Sequence, residues 1–234
     1  MKGRLIIISS PSGGGKGTLI KEVLEAVPEL GYSVSFTTRS PRFGEEEGRH
    51  YHFVSKAEFE DEINAGGFLE YAEVHGNYYG TSLTYVNRLA DEGKDVILEI
   101  DVQGAGWVRK RMPDALSIFI MPPSFEVLKA RLMARGTEKP EDLEIRLGNA
   151  RGEVMEYAHF DYVIINDEIF ASARKLAAII MATSAMESPR CIQRNVPLSS
   201  ALWNVDSTTY RVRPATNATE MALMNVSPVR LAIQ

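Results

Sequence analysis

Apolar positions along this chain repeat with two periods. Short β-forming runs occur at about 4–9, 33–38, 95–101, 116–121 and 161–165. Most are separated by stretches whose apolar residues recur every three to four positions, the spacing of one helix face. Strands alternating with helices predict parallel βαβ units, and so an α/β fold. The run "DVILEID" is almost continuously apolar before its acids, as expected of a strand covered on both faces.

Two segments break this rhythm. Residues 50–81 are rich in aromatics and read as short strands around one helix, "SKAEFEDEINAG", whose Ser55 and Glu58 have capping-box spacing. They predict a small inserted mixed-β lobe. Between 124 and 157, the helical patterns "SFEVLKARLMAR" and "EDLEIRLGNARGEVMEYA" are interrupted by "GTEKP", which predicts a hinged helical flap. Residues 187–234 contain neither glycine nor lysine, carry four prolines and lose the helical period. They are expected to form a poorly ordered or loosely docked tail with no catalytic part.

Composition narrows the classes. With 234 residues and 44% hydrophobic content the chain can bury one sizeable core. The first apolar run is too short for a secretory leader, and no stretch approaches the roughly 20 apolar residues of a membrane span. A soluble, cytoplasmic protein without a membrane partner is expected. A single cysteine, Cys191, leaves no internal disulfide or cysteine metal site. A formal charge of −5 disfavours non-specific nucleic-acid binding, so any polyanion must be held by locally gathered basic side chains.

The first such place is "LIIISSPSGGGKGT", residues 5–18. Gly13, Gly14 and Gly15 let successive backbone N–H groups turn into one cavity. A helix starting near Lys16 adds its positive end. The Lys16 ammonium suits β- and γ-phosphates, and a neighbouring hydroxyl suits Mg2+. The match to G-x-x-x-x-G-K-[ST] is imperfect: Ser10 stands at the first glycine and Gly17 follows the lysine, leaving Thr18 or a water to complete the metal shell.

Three further clusters are weaker by themselves. In "SFTTRSPRFGEEEGRHY", Arg39 and Arg42 flank a stiff Ser-Pro link with Tyr51 following. They could converge on a second phosphate, or form a solvated basic turn opposite "EEE". "FLEYAEVHGNYYGT" offers Glu70, Tyr79 and Thr81, types that read a base edge or simply line a β lobe. In "EIDVQG", Glu99 and Asp101 share one face at the carboxyl end of a parallel strand. A helix cap accounts for Asp101 but not for Glu99. Arg131, Arg135 and Arg146 in the flap either stabilise charge on a transferring phosphoryl group or belong to surface ion pairs.

Together "SPSGGGKGTL", "VSFTTRSPRFGEEEGRHYHFV", "FLEYAEVHGNYYGT", "EIDVQGA", "IFIMPPS", "RLMARGTE" and "DYVIINDE" resemble guanylate kinases. The resemblance runs in order from residue 3 to about 185, and the TTRxPRxGExxGxxYxFV element is more specific than the phosphate loop. It implies a P-loop α/β three-layer sandwich with a parallel core sheet, spanning 1–186, with a GMP-binding lobe over 35–92, a helical lid over 124–157 and an atypical tail over 187–234. The reaction implied is ATP + GMP ⇌ ADP + GDP with Mg2+, in purine nucleotide metabolism, with dGMP also accepted.

Carried over residue by residue, the resemblance implies that Ser35, Glu70 and Asp101 read guanine. Arg39, Arg42, Tyr51 and Tyr79 hold the GMP phosphate, and Thr81 assists. Ser12, Gly13, Gly14, Gly15, Lys16, Gly17 and Thr18 cradle ATP, with Asn166 near adenine. Lys16, Arg39, Arg131, Arg135 and Arg146 would stabilise the transfer, and Thr18 and, through water, Glu99 would serve the metal. Homo-oligomerisation is left open. Two rivals stand beside this reading: a kinase for another small phosphate-bearing acceptor, and a non-catalytic module binding phosphorylated peptides. Modules of that kind have generally lost the loop lysine, so Lys16 favours the enzyme.

Overall fold

The computed structural model describes residues 2–74, 76–134, 140–187 and 209–211. The central sheet contains β1 (Leu5–Ser9), β2 (Gly31–Ser33), β7 (Val96–Glu99), β8 (Leu116–Met121), β9 (Tyr162–Ile165) and β10 (Thr209–Arg211), in the order β10-β9-β8-β1-β7-β2. The pairs β2/β7, β7/β1, β1/β8 and β8/β9 are parallel, and β10 joins β9 antiparallel.

Strand period places successive side chains on opposite faces, and both faces are covered. Ile7, Leu98, Phe119 and Val163 pack against α3 (Leu83–Asp91) and α4 (Val102–Arg111). Ile6, Ile8, Ile97, Ile118, Ile120 and Ile164 pack against α1 (Lys16–Ala26) and α7 (Ile169–Glu187). Because the middle strands are buried on both sides, they read as continuous apolar runs rather than alternating ones. No helix among the described residues is long and apolar enough to cross a membrane.

The run at 33–38 is not one strand. Residues 31–33 belong to β2 of the central sheet, and Phe36–Thr37 form β3 of a second, four-stranded sheet. The reason is packing: the Phe36 ring lies 5.7 Å from Phe68 and 4.7 Å from His52, so it belongs to the lobe's aromatic core. That sheet has the order β4-β3-β6-β5, with β4 (His52–Phe53), β5 (Phe68–Val74) and β6 (Asn77–Ser82). Beside it lies α2 (Lys56–Asn64), which has the capping box expected at Ser55 and Glu58. Phe59 of α2 is fully buried and stacks on Phe68 and Tyr78 at 4.5 and 5.4 Å.

The flap consists of α5 (Phe125–Ala134) and α6 (Pro140–Met155), followed by a 3-10 turn at Glu156–His159. Leu128, Leu132 and Ala150 are buried between them, flanked by Phe125 and Leu147. Arg135 and most of the "GTEKP" joint lie outside the described residues, as does Cys191. Of the segment 188–234, only 209–211 is described; it extends the central sheet beyond β9.

Candidate active site

β1 ends at the phosphate loop, and α1 begins at its far side. Gly13 and Gly15 have φ of 84° and 86°, left-handed values that glycine reaches without a Cβ penalty. The Gly14 N–H donates to the Pro11 carbonyl at 2.9 Å, closing the turn. Gly15 precedes α1 with no side-chain cap, which leaves the first N–H groups of the helix to an anion. The Lys16 ammonium sits 3.3 Å from Glu99 Oε1 at the end of β7. The Tyr32 hydroxyl donates to Glu99 Oε2 at 2.9 Å, and burial followed by the adjacent Glu99 charge raises that phenol above its ordinary range. Gly17 and Thr18 are exposed. A Cβ on Gly17 would lie 3.2 Å from Glu99 Oε1, so this carboxylate stands directly over the start of the helix.

Glu70 lies on β5 where the pairing with β6 shifts register between Phe68 and Glu70. Such irregularities re-aim side chains, and here Phe68, Leu69 and Glu70 are all buried. Its cross-strand partner Thr81 donates to Glu70 Oε1 at 2.6 Å. Burial raises the Glu70 carboxyl to about 7, against the Thr81 hydrogen bond and with help from the Asp101 charge, while Lys16 opposes the rise. Asp101 caps α4 by accepting from Gly104 N at 2.7 Å. A Cβ at Gly104 would come within 2.4 Å of Glu70 Oε2 and 3.2 Å of Asp101 Oδ1. Both carboxylates therefore border one point that only glycine leaves open. Ser35, 9% exposed, sits where the chain crosses from the core to the lobe.

Arg39 is held against Glu45 by two bonds of 2.9 Å, Nη1 to Oε2 and Nη2 to Oε1. Its guanidinium lies 5.3 Å over the Tyr51 ring. The Tyr51 and Tyr79 rings are 6.0 Å apart, and burial leads the influences that push the Tyr51 phenol up to about 12. Arg39 Nε is buried without a partner among the described residues, a donor still available to a ligand. Arg42 is exposed, and its backbone N–H donates to Glu45 at 2.7 Å.

Of the flap arginines, Arg131 reaches the loop: Nη1 donates to the Gly14 carbonyl at 3.4 Å and Nη2 to the Asn166 carbonyl at 2.9 Å. Arg146 is half-buried on α6. Asn166 follows β9 and is 2% exposed. Its Nδ2 donates to the Gly14 carbonyl at 3.0 Å, while its Oδ1 is buried without a partner among the described residues. The structure thus gathers Lys16, Glu99, Arg131 and Asn166 around the loop and Glu70, Thr81 and Asp101 around a neighbouring pocket, with Arg39, Tyr51 and Tyr79 together in the lobe.

Sequence reasoning missed three participants. Glu45 was within the "EEE" set against the arginines, and its pairing with Arg39 had that weak signal. Glu153 of α6 accepts from the Ser12 N–H of the loop at 2.9 Å, across 141 positions that no local pattern spans. Tyr32 lies on the strand beside β7, and only strand order reveals its hydroxyl as a partner of Glu99.

Comparison with known proteins agrees with this geometry. The family model described as guanylate kinase matches residues 2–183. A guanylate kinase of Aromatoleum aromaticum is 50% identical over 183 residues, covering 78% of this chain and 90% of its own. One of Neisseria meningitidis serogroup A is 54% identical over 181 residues, covering 77% and 88%. Among solved structures, the guanylate kinase of Anaplasma phagocytophilum superposes with a TM-score of 0.65 at 36% identity, covering 78% of this chain and 86% of that one. With a family match over most of the described residues and the loop lysine in place, the chain belongs to the guanylate kinase family.

Proposed function

We propose that this protein transfers the terminal phosphoryl group of ATP to GMP, reversibly and with dGMP as a further acceptor, serving purine nucleotide metabolism in the cytoplasm. The observation that carries the acceptor's identity is the pair of carboxylates formed by buried Glu70 and half-buried Asp101, bordering one point within electrostatic reach of Lys16. Guanine presents N1–H and an exocyclic amine, two donors suited to carboxylate acceptors, and adenine has no such pair on that edge. Buried acceptors left unpaired by the wrong base are costly, which is how a polar pocket discriminates.

The chemistry asks for position and charge rather than a nucleophilic side chain. A GMP phosphate oxygen is already anionic near neutrality, so it attacks without a dedicated base. Arg39, with Nε unpaired, would take the GMP phosphate together with Arg42, Tyr51 and Tyr79. Ser35 and Thr81 complete the acceptor pocket. The loop from Ser12 to Thr18 would cradle ATP phosphates around the Lys16 charge. Asn166 Oδ1 is an acceptor suited to the amino group of adenine. Arg131, Arg146 and Arg135 would stabilise transferring charge, and closure of the α5–α6 flap would exclude water.

Magnesium brought with the nucleotide would be held by Thr18 and, through water, Glu99, beside the ATP phosphates. The residues fit such a role, since Glu99 places hard oxygen atoms beside Lys16 and Gly17 and Thr18 adds a hydroxyl. When bound, the ion supplies neutralisation of β- and γ-phosphate charge. The test is a coupled ADP-release assay with GMP, dGMP, AMP, CMP and UMP. GMP and dGMP should dominate; equal rates with AMP would overturn the guanine reading.

A further inference from the structure

Asn166 is better placed to act on the phosphate loop than its implied position beside adenine requires. A carbonyl only accepts, so the Asn166 amide nitrogen must be the atom facing Gly14 O, 3.0 Å away. The residue itself is fixed from three sides. Its backbone N–H donates to the Met121 carbonyl at the end of β8 at 2.7 Å. Its carbonyl accepts from Arg131 at 2.9 Å. Just before it, Ile165 O accepts from Ser172 Oγ of α7 at 3.2 Å. The loop is shaped around this amide: a Cβ on Gly15, which has φ of 86°, would stand 2.4 Å from Asn166 Nδ2. At 2% exposure, the contact is made where water cannot substitute for it.

We propose that Asn166 is a positioning residue for ATP. Its side-chain amide holds the Gly14 carbonyl out of the phosphate cavity and, with Arg131 on the same oxygen, fixes the orientation of the Gly14–Gly15 peptide. The Gly15 N–H then faces the phosphates before ATP arrives. A peptide unit carries its C=O and the next N–H on opposite sides, so anchoring the Gly14 oxygen away from the ligand aims the Gly15 N–H toward it. Preorganised donors of this kind cost no reorganisation during transfer. The inference rests on the kinase reading above, because the loop must hold nucleotide phosphates for the positioning to matter.

The experiment compares wild type, Asn166→Ala and Asn166→Asp in steady-state ADP release, with ATP and GMP varied separately between pH 5.5 and 8.5. Thermal melting is followed in parallel. Wild-type turnover with GMP establishes the kinase reading independently of the variants. Asn166→Ala removes the donor without adding charge, and the ATP KM should rise by about 10-fold, the upper scale of one buried hydrogen bond, while the GMP KM stays within about twofold. Asn166→Asp is isosteric. Above the pKa of its carboxyl it presents two acceptors to the Gly14 carbonyl, and below it regains an O–H donor. Its ATP KM, normalised to wild type, should therefore fall toward wild type as pH is lowered, a dependence Asn166→Ala should lack. A melting change without an ATP-specific KM change in Asn166→Ala would overturn the proposal, as would a pH-independent defect in Asn166→Asp.

Discussion

Substitution of Glu70 by Gln should make the ligand-free protein more stable at pH 8 while weakening GMP binding. The carboxyl is buried and pushed from an ordinary 4.5 to about 7. In the folded state it therefore keeps its proton across a window where the unfolded chain has lost it. When the folded state binds more protons than the unfolded state, stability declines as pH rises. The Glu70 contribution is thus most favourable below about 4.5, falls through the window, and becomes a full cost above about 7.

A separation of about 2.5 pH units at 1.36 kcal/mol each makes that cost about 3 kcal/mol. Glutamine resembles the protonated acid and still accepts from Thr81 Oγ1, so it escapes the cost. At about 2–4 °C per kcal/mol for a chain of this size, the Glu70→Gln melting midpoint should exceed wild type by about 6–12 °C at pH 8 and differ little at pH 5. In the kinase assay the same variant should raise the GMP KM by roughly 10- to 100-fold, the worth of a hydrogen bond to a charged acceptor, with the ATP KM nearly unchanged. Melting curves at the two pH values and paired KM measurements check both halves. A variant equally destabilised at pH 5 and pH 8, or one with unaltered GMP KM, would refute the assignment of Glu70 as an ionised guanine acceptor held at a stability cost.

The other expectations use the same assays. Lys16→Ala should lower kcat by about 100-fold or more, the loss typical of a removed electrostatic stabiliser; near-normal turnover would reject the phosphate-loop assignment. Gly104→Ala forces a methyl within 2.4 Å of Glu70 Oε2, so it should raise the GMP KM by about 10-fold or more through displacement of a charged acceptor, and an ATP-only effect would contradict the shared pocket. Glu153→Gln retains an acceptor for the Ser12 N–H but removes a negative charge from the loop's rim, so the ATP KM should fall by about two- to fivefold at low ionic strength, an advantage that 0.5 M salt should erase; a raised ATP KM would count against charge repulsion at this position.

The sequence by itself determined whatever depends on near neighbours. The apolar run 4–9, the glycine triplet and Lys16 specified a strand, a tight loop and a helix start, because strand period, glycine torsions and helix caps act over a few residues. Ser55 and Glu58 made their capping box for the same reason. Residue types also indicated Glu70, Asp101 and Arg39 as candidates. Tertiary structure decided what these side chains face. The 33–38 run divided between two sheets because Phe36 found its apolar partners in the lobe. A register shift on β5 turned Glu70 inward and gave it a raised affinity for a proton. The Ser12–Glu153 and Gly14–Asn166 contacts join positions 141 and 152 residues apart. Periodicity along the chain carries no information about such pairs: Gly14 meets Asn166 because β1 lies beside β8, β9 lies beyond it, and a buried polar group at a strand end must find a partner there, while Ser12 meets Glu153 because α6 passes beside the phosphate loop.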